Sequence, residues 1–101
     1  MIMKFVHITF RFEYMDLVEK ILDDQGVVDF VRYSMIEGKD KDGKHFGSQI
    51  FPGSVTVCQA LVEDHLLEGL LGRLKNLKDQ KKAHGHLRTA VMPVEMYLGE
   101  E

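Results

Sequence analysis

The order in which the apolar periodicity switches along this chain limits its fold more than any single motif does. From Lys4 to Phe12 the residues alternate, with Val6, Ile8, Phe10 and Phe12 on one side and Phe5, His7, Thr9 and Arg11 on the other. Period two carried by β-branched and aromatic residues predicts a strand. The pattern then changes to Tyr14, Leu17, Val18, Ile21 and Leu22, an apolar stripe at helical spacing. Gly26 follows where a helix ends in a left-handed residue, so the spacing predicts a helix over 13–25. Val27 to Ile36 predicts a second strand, and Ser54 to Val62, after the break at Pro52-Gly53, a third. Glu63 and Asp64 mark a helix start, with Asp64 as N-cap. Leu66, Leu67, Leu70, Leu71, Leu74 and Leu77 form the second helical stripe. Gly69 and Gly72 interrupt it at a cost of about 1 kcal/mol each against alanine, which close packing on a sheet would explain. Leu87 to Leu98 predicts a fourth strand, which Pro93 bends or confines to an edge.

Strand, helix, strand, strand, helix, strand in 101 residues predicts one α+β domain over 1–101. Right-handed crossovers then give a ferredoxin-like βαββαβ sandwich, a four-stranded antiparallel sheet with two helices on one face. The other face should be polar in a monomer. It is not. The second strand carries Val28, Phe30 and Ile36 on one side and Val27, Val31, Tyr33 and Met35 on the other. The third carries Val55, Val57 and Leu61 against Cys58, Ala60 and Val62. Whichever side meets the helices, an apolar face is left over, and a homo-oligomer is expected.

The charge balance, 13 basic against 16 acidic residues for a net −3, argues against nucleic acid as a partner. The single cysteine, Cys58, excludes an intramolecular disulfide and is expected to be a buried small hydrophobe. Lys4 and His7 interrupt the N-terminal apolar run, so it does not read as a signal peptide. No segment approaches the roughly 18 apolar residues of a membrane span. No direct membrane insertion and a cytoplasmic location are therefore expected.

Three stretches stand out, the charged 37–53 segment, Lys81-Lys82-Ala83-His84-Gly85-His86, and Arg88 to Glu95 with its Pro93-Val94-Glu95 ending, and on these the chain resembles PII-like signal-transduction proteins. Residues 37–53, charged and glycine-containing, lie where those proteins carry the T-loop that touches a partner protein. Within this stretch Asp42-Gly43 signals a tight turn, leaving either a hairpin tip or a mobile loop. The basic stretch Lys81-Lys82-Ala83-His84-Gly85-His86 lies where they carry the B-loop. Arg88-Thr89-Ala90-Val91-Met92-Pro93-Val94-Glu95 resembles their final strand. The resemblance implies a homotrimer with ligand clefts between subunits, adenine nucleotides as one ligand class, and a regulatory role that is not enzymatic. It places ligand binding on Lys81, Lys82, His84, Gly85, His86 and Arg88. It places partner binding on Lys39, Lys41, Lys44, Phe46 and Phe51, with a membrane transporter as one partner class. The related CutA-like trimers are linked to divalent metals, which leaves a metal-tolerance accessory protein as the alternative. The B-loop here is shorter than in nitrogen-regulatory PII, the 37–53 stretch has no tyrosine, and no arginine follows Arg88.

The residues themselves leave the ligand open. Lys81 and Lys82 beside Gly85 suit a phosphate, and equally suit the C-terminal dipole of a helix. His84 and His86, at i and i+2, suit zinc, copper or nickel, with a third ligand needed from His7, His45, His65 or Cys58. A solvated loop also accommodates the pair. No nucleophile–base–orienter set stands out, so a small dimeric-barrel enzyme is the least supported class.

Overall fold

The computed structural model describes residues 2–36, 38–40, 43–45 and 55–99. Its elements are β1 (Met3–Arg11), α1 (Met15–Asp24), β2 (Phe30–Ile36), β3 (Gly38–Asp40), β4 (Gly43–His45), β5 (Val55–Glu63), α2 (Asp64–Gln80) and β6 (Arg88–Pro93). Short 3-10 turns precede α1 (Phe12–Tyr14) and β6 (Lys82–His86). The main sheet is four-stranded and antiparallel, in the order β2-β5-β1-β6. With α1 and α2 it forms the α+β ferredoxin-like arrangement expected from the periodicity.

The local chemistry explains the boundaries. Gly26 has φ +79°, with Gly26 N–H donating to Asp23 O at 3.1 Å and Val27 N–H to Leu22 O at 3.0 Å. This is a Schellman ending, and it buries Val27 as the contact beyond the cap. Val27 thus belongs to the end of α1, and β2 begins at Phe30 rather than at 27. Asp64 is not the N-cap. It is the first residue of α2, and its N–H donates to Ile2 O at 2.9 Å, so a neighbouring strand end satisfies a donor that a side chain usually takes. A Cβ on Gly69 would meet Gln25 Oε1 at 2.6 Å, whereas one on Gly72 would meet nothing. Gly69 therefore accommodates the end of α1 and not the sheet, and nothing in the structure explains Gly72. Within 37–53, the described residues Gly38–Asp40 and Gly43–His45 pair antiparallel as β3 and β4, and the rest of that segment lies outside the described residues. Lys41, Phe46 and Phe51 lie outside the described residues, and Lys39 and Lys44 are described in backbone only.

The core lies between helices and sheet. Val6, Ile8 and Phe10 of β1, Cys58, Ala60 and Val62 of β5, Val18 and Leu22 of α1, and Leu70 and Leu74 of α2 are buried together. The register puts His7 against Gln59 and Ala90, Phe5 against Leu61 and Met92, and Thr9 against Val57 and Arg88 on the opposite face. Val31 and Tyr33 continue that face on β2, each about half exposed. Among the described residues it carries no helix, and it stays largely apolar as the strand patterns predict.

Candidate functional site

The residues with ligand-binding potential gather where α2 gives way to β6, and α2 shapes that corner. Its last turn brings Lys78 under the 3-10 turn, where Nζ donates to Gly85 O at 2.8 Å and to Leu87 O. One ammonium thus holds both ends of the turn's C-terminal half. Lys81 is extended, and the turn closes through His84 N–H to Lys81 O at 3.0 Å and Leu87 N–H to His84 O at 3.1 Å.

His84 is neither a solvated loop residue nor poised for solvent. It is buried, and its Nδ1 lies 2.6 Å from Leu77 O. A carbonyl only accepts, so Nδ1 carries the proton. The ring meets Tyr14 edge-on at 4.8 Å, and His86 stacks on the same Tyr14 at 5.1 Å. The two histidines therefore clasp the entrance of α1 to the end of α2. Lys81, Lys82, Gly85 and Arg88 remain exposed. The side chains of Lys81, Lys82 and Arg88 have no hydrogen-bond or ion-pair partner among the described residues. The six expected ligand residues thus divide into a structural pair and an exposed, cationic group. Gly85 has φ outside the left-handed region and open space at its Cβ, so the turn does not require glycine there.

Two clefts flank the start of β6. One, of about 460 Å³, opens on the helix side between Leu71, Leu74, Lys75, Lys78, Leu87, Arg88 and Thr89. The other, of about 410 Å³, is lined by His7, Thr9, Arg88, Thr89 and Ala90 and adjoins the uncovered face. In the register Ala90 stands opposite His7 and Arg88 opposite Thr9, so two neighbouring cross-strand pairs line the second cleft. His7 Nδ1 lies 3.4 Å from Gln59 Nε2, which continues the polar patch inward. Arg88 and Thr89 line both clefts, and Thr89 Oγ1 has no hydrogen-bond partner among the described residues. Lys78, Tyr14, Thr9 and Thr89 were not singled out by sequence. Tyr14 reads as the first residue of an apolar stripe, and only the fold brings it and Lys78 to the same corner.

Among the described residues no three His, Cys, Asp or Glu side chains gather as a metal site. Burial, with Glu19 nearby, pushes the Cys58 thiol up to about 11, which suits the expected inert core residue. His65 is exposed beside Glu63 at 3.5 Å, at the opposite end of α2 from His84. No described helix is long and apolar enough to cross a membrane.

No protein-family model matches the sequence. No curated protein matches it either. Solved structures do match in shape. CPII from Thiomonas intermedia, a nitrogen regulatory PII-like protein bound to ADP, AMP and bicarbonate, aligns with TM-score 0.76 and 15% identity over 99% of this chain and 98% of its own. A DUF3240 family protein from Shewanella baltica gives 0.73 at 12% identity, over 98% and 97%. A candidate PII-like signaling protein from Thermus thermophilus gives 0.64 at 15%, over 92% and 87%. The chain therefore has a PII-like fold.

Proposed function

We propose that this chain is a single-domain, non-enzymatic regulatory protein that binds a small anionic ligand, an adenine nucleotide by class, at the start of β6. The observation that carries the reading is Arg88. It is an exposed cation with no partner among the described residues, it lines both clefts, and it follows a turn that also presents Lys81 and Lys82. A guanidinium with a free fork suits phosphate or carboxylate oxygens. The ADP and AMP bound by the Thiomonas protein on the same fold support that ligand class.

The ligand clefts are completed by neighbouring copies in a homotrimer. The uncovered apolar sheet face supports this, since a patch with Val31, Tyr33 and Met92 half exposed is a poor surface for a monomer. Residues 37–53 carry the signal to a partner protein, with a membrane transporter as one class, and the protein works in the cytoplasm.

Calorimetry with ADP, AMP, ATP, zinc and copper tests the reading. Wild type binds a nucleotide below millimolar concentration, more weakly at high salt. Arg88→Ala and the Lys81→Ala/Lys82→Ala pair each weaken it about tenfold or more, the loss of roughly one charge-assisted contact. Absence of nucleotide binding overturns the reading. Metal binding that only His84→Ala/His86→Ala abolishes replaces it with the metal-accessory alternative.

A further inference from the structure

The leucine floor of the helix-side cleft has no part in the proposed nucleotide binding, and neither has the segment after β6. Met96 is 90% exposed and Leu98 100% exposed, and the last described tie of this segment is Val94 N–H to Met3 O at 3.3 Å. Large apolar side chains projecting beyond the last strand suit a partner surface more than water. Glu95 precedes Met96, Tyr97 stands between Met96 and Leu98, and Glu100 and Glu101 follow in the sequence. The segment thus has an apolar–acidic character, with Met96 and Leu98 on one side when it lies extended.

The cleft beside β6 is its chemical complement. Leu71, Leu74 and Leu87 give it an apolar floor, while Lys75, Lys78 and Arg88 give it three cations and no carboxylate in its lining. Lys75 pairs with Asp79 at 2.7 Å, and Lys78 donates to backbone carbonyls and not to a carboxylate. β6 is also an edge strand, so its outer backbone groups are available to an added strand.

We infer that residues 94–99 of one copy dock in the α2/β6 cleft of a second copy, with Met96 and Leu98 on the leucine floor and Glu95 facing the cationic rim. The chain's own tail does not reach. β6 runs from Arg88 at the cleft to Pro93 at the far end, about 17 Å at roughly 3.4 Å per residue. A reversal consumes at least about two residues, and the three from Met96 to Leu98 then return only about 10 Å. The inference rests on the self-association in the proposed function and not on the nucleotide.

Cross-linking between distinguishable copies tests it. Tagged Leu98→Cys chains are mixed with untagged Lys75→Cys chains and oxidised, native Cys58 being buried. A disulfide-linked pair containing one of each is expected. Its yield should fall about tenfold when Glu95→Lys and Met96→Asp are added to the tagged chain, and it should fall with salt. Light scattering on wild type separates the outcomes. An assembled protein without the mixed cross-link overturns the docking and leaves the assembly standing, whereas a mass of one chain overturns both. A Leu98→Cys/Lys75→Cys chain that closes on itself at high dilution also overturns the inference.

Discussion

The two faces of the sheet use the same strands for opposite purposes. On the helix side, Val6, Ile8, Cys58 and Ala60 are sealed under α1 and α2, all at 1% exposure or less. On the other side, His7, Thr9, Ala90 and Arg88 shape a cleft while Val31, Tyr33 and Met92 stay half exposed. A single-residue alternation separates them, so the difference is one of cover and not of β-propensity. One face is completed within the chain. The other has no cover among the described residues, and the proposed assembly would complete it.

The largest effect should come from the sealed face. Leu70→Ala removes a fully buried side chain of the core and should cost about 2–5 kcal/mol in urea unfolding, at every protein concentration. Tyr33→Ala on the uncovered face should cost progressively more as protein concentration rises, because its contacts form only on association. If the Tyr33→Ala cost is independent of concentration, the two faces do not differ as argued.

This contrast was largely legible in the sequence. Val6, Ile8 and Phe10 declare one face through strict alternation, and the leucines of α2 declare the helical stripe that meets it. Gly26 announces the end of α1, because only a residue tolerant of positive φ suits a Schellman ending. Pro93, last residue of β6, signals an edge strand. The corner at 81–88 was legible only in composition. Lys-Lys-Ala-His-Gly-His reads as uniformly polar, yet His84 faces Tyr14 and Leu77 while Lys81, Lys82 and Arg88 face out. Neither contact partner of His84 is adjacent in sequence, so no local pattern distinguishes the buried imidazole from an exposed one. The same holds for Asp64, whose N–H is satisfied by Ile2, a residue more than sixty positions away in the chain.

A smaller effect tests that division within the corner. His84→Ala strands Leu77 O and removes the edge contact with Tyr14, and should cost about 1–3 kcal/mol. Arg88→Ala, in contrast, should stay within about 0.5 kcal/mol, as exposed substitutions do. Thermal unfolding of both variants without ligand reads the difference. A neutral His84→Ala would return that histidine to the group of exposed ligand candidates.

The smallest effect lies on the outer surface, where α1 and α2 touch through charge instead of packing. Asp24 accepts from Lys20 at 3.0 Å and from Arg73 of α2 at 3.3 Å. The Lys20 hydrogen bond, with Arg73 assisting, holds the Asp24 carboxyl below the usual aspartate range against the opposing desolvation. A carboxyl lowered on folding stabilises the folded state above its unfolded value, about 3.9, and that contribution is lost as pH falls through the folded value. Asp24→Asn should therefore lower the melting temperature slightly at pH 7, with the gap closing as pH falls below about 3.9 and shrinking with added salt. A gap that persists undiminished in acid would mean that the asparagine acts through shape and not charge. The helices would then be joined at this point by something other than the pair, and the sealed face would owe its cover entirely to the leucines beneath.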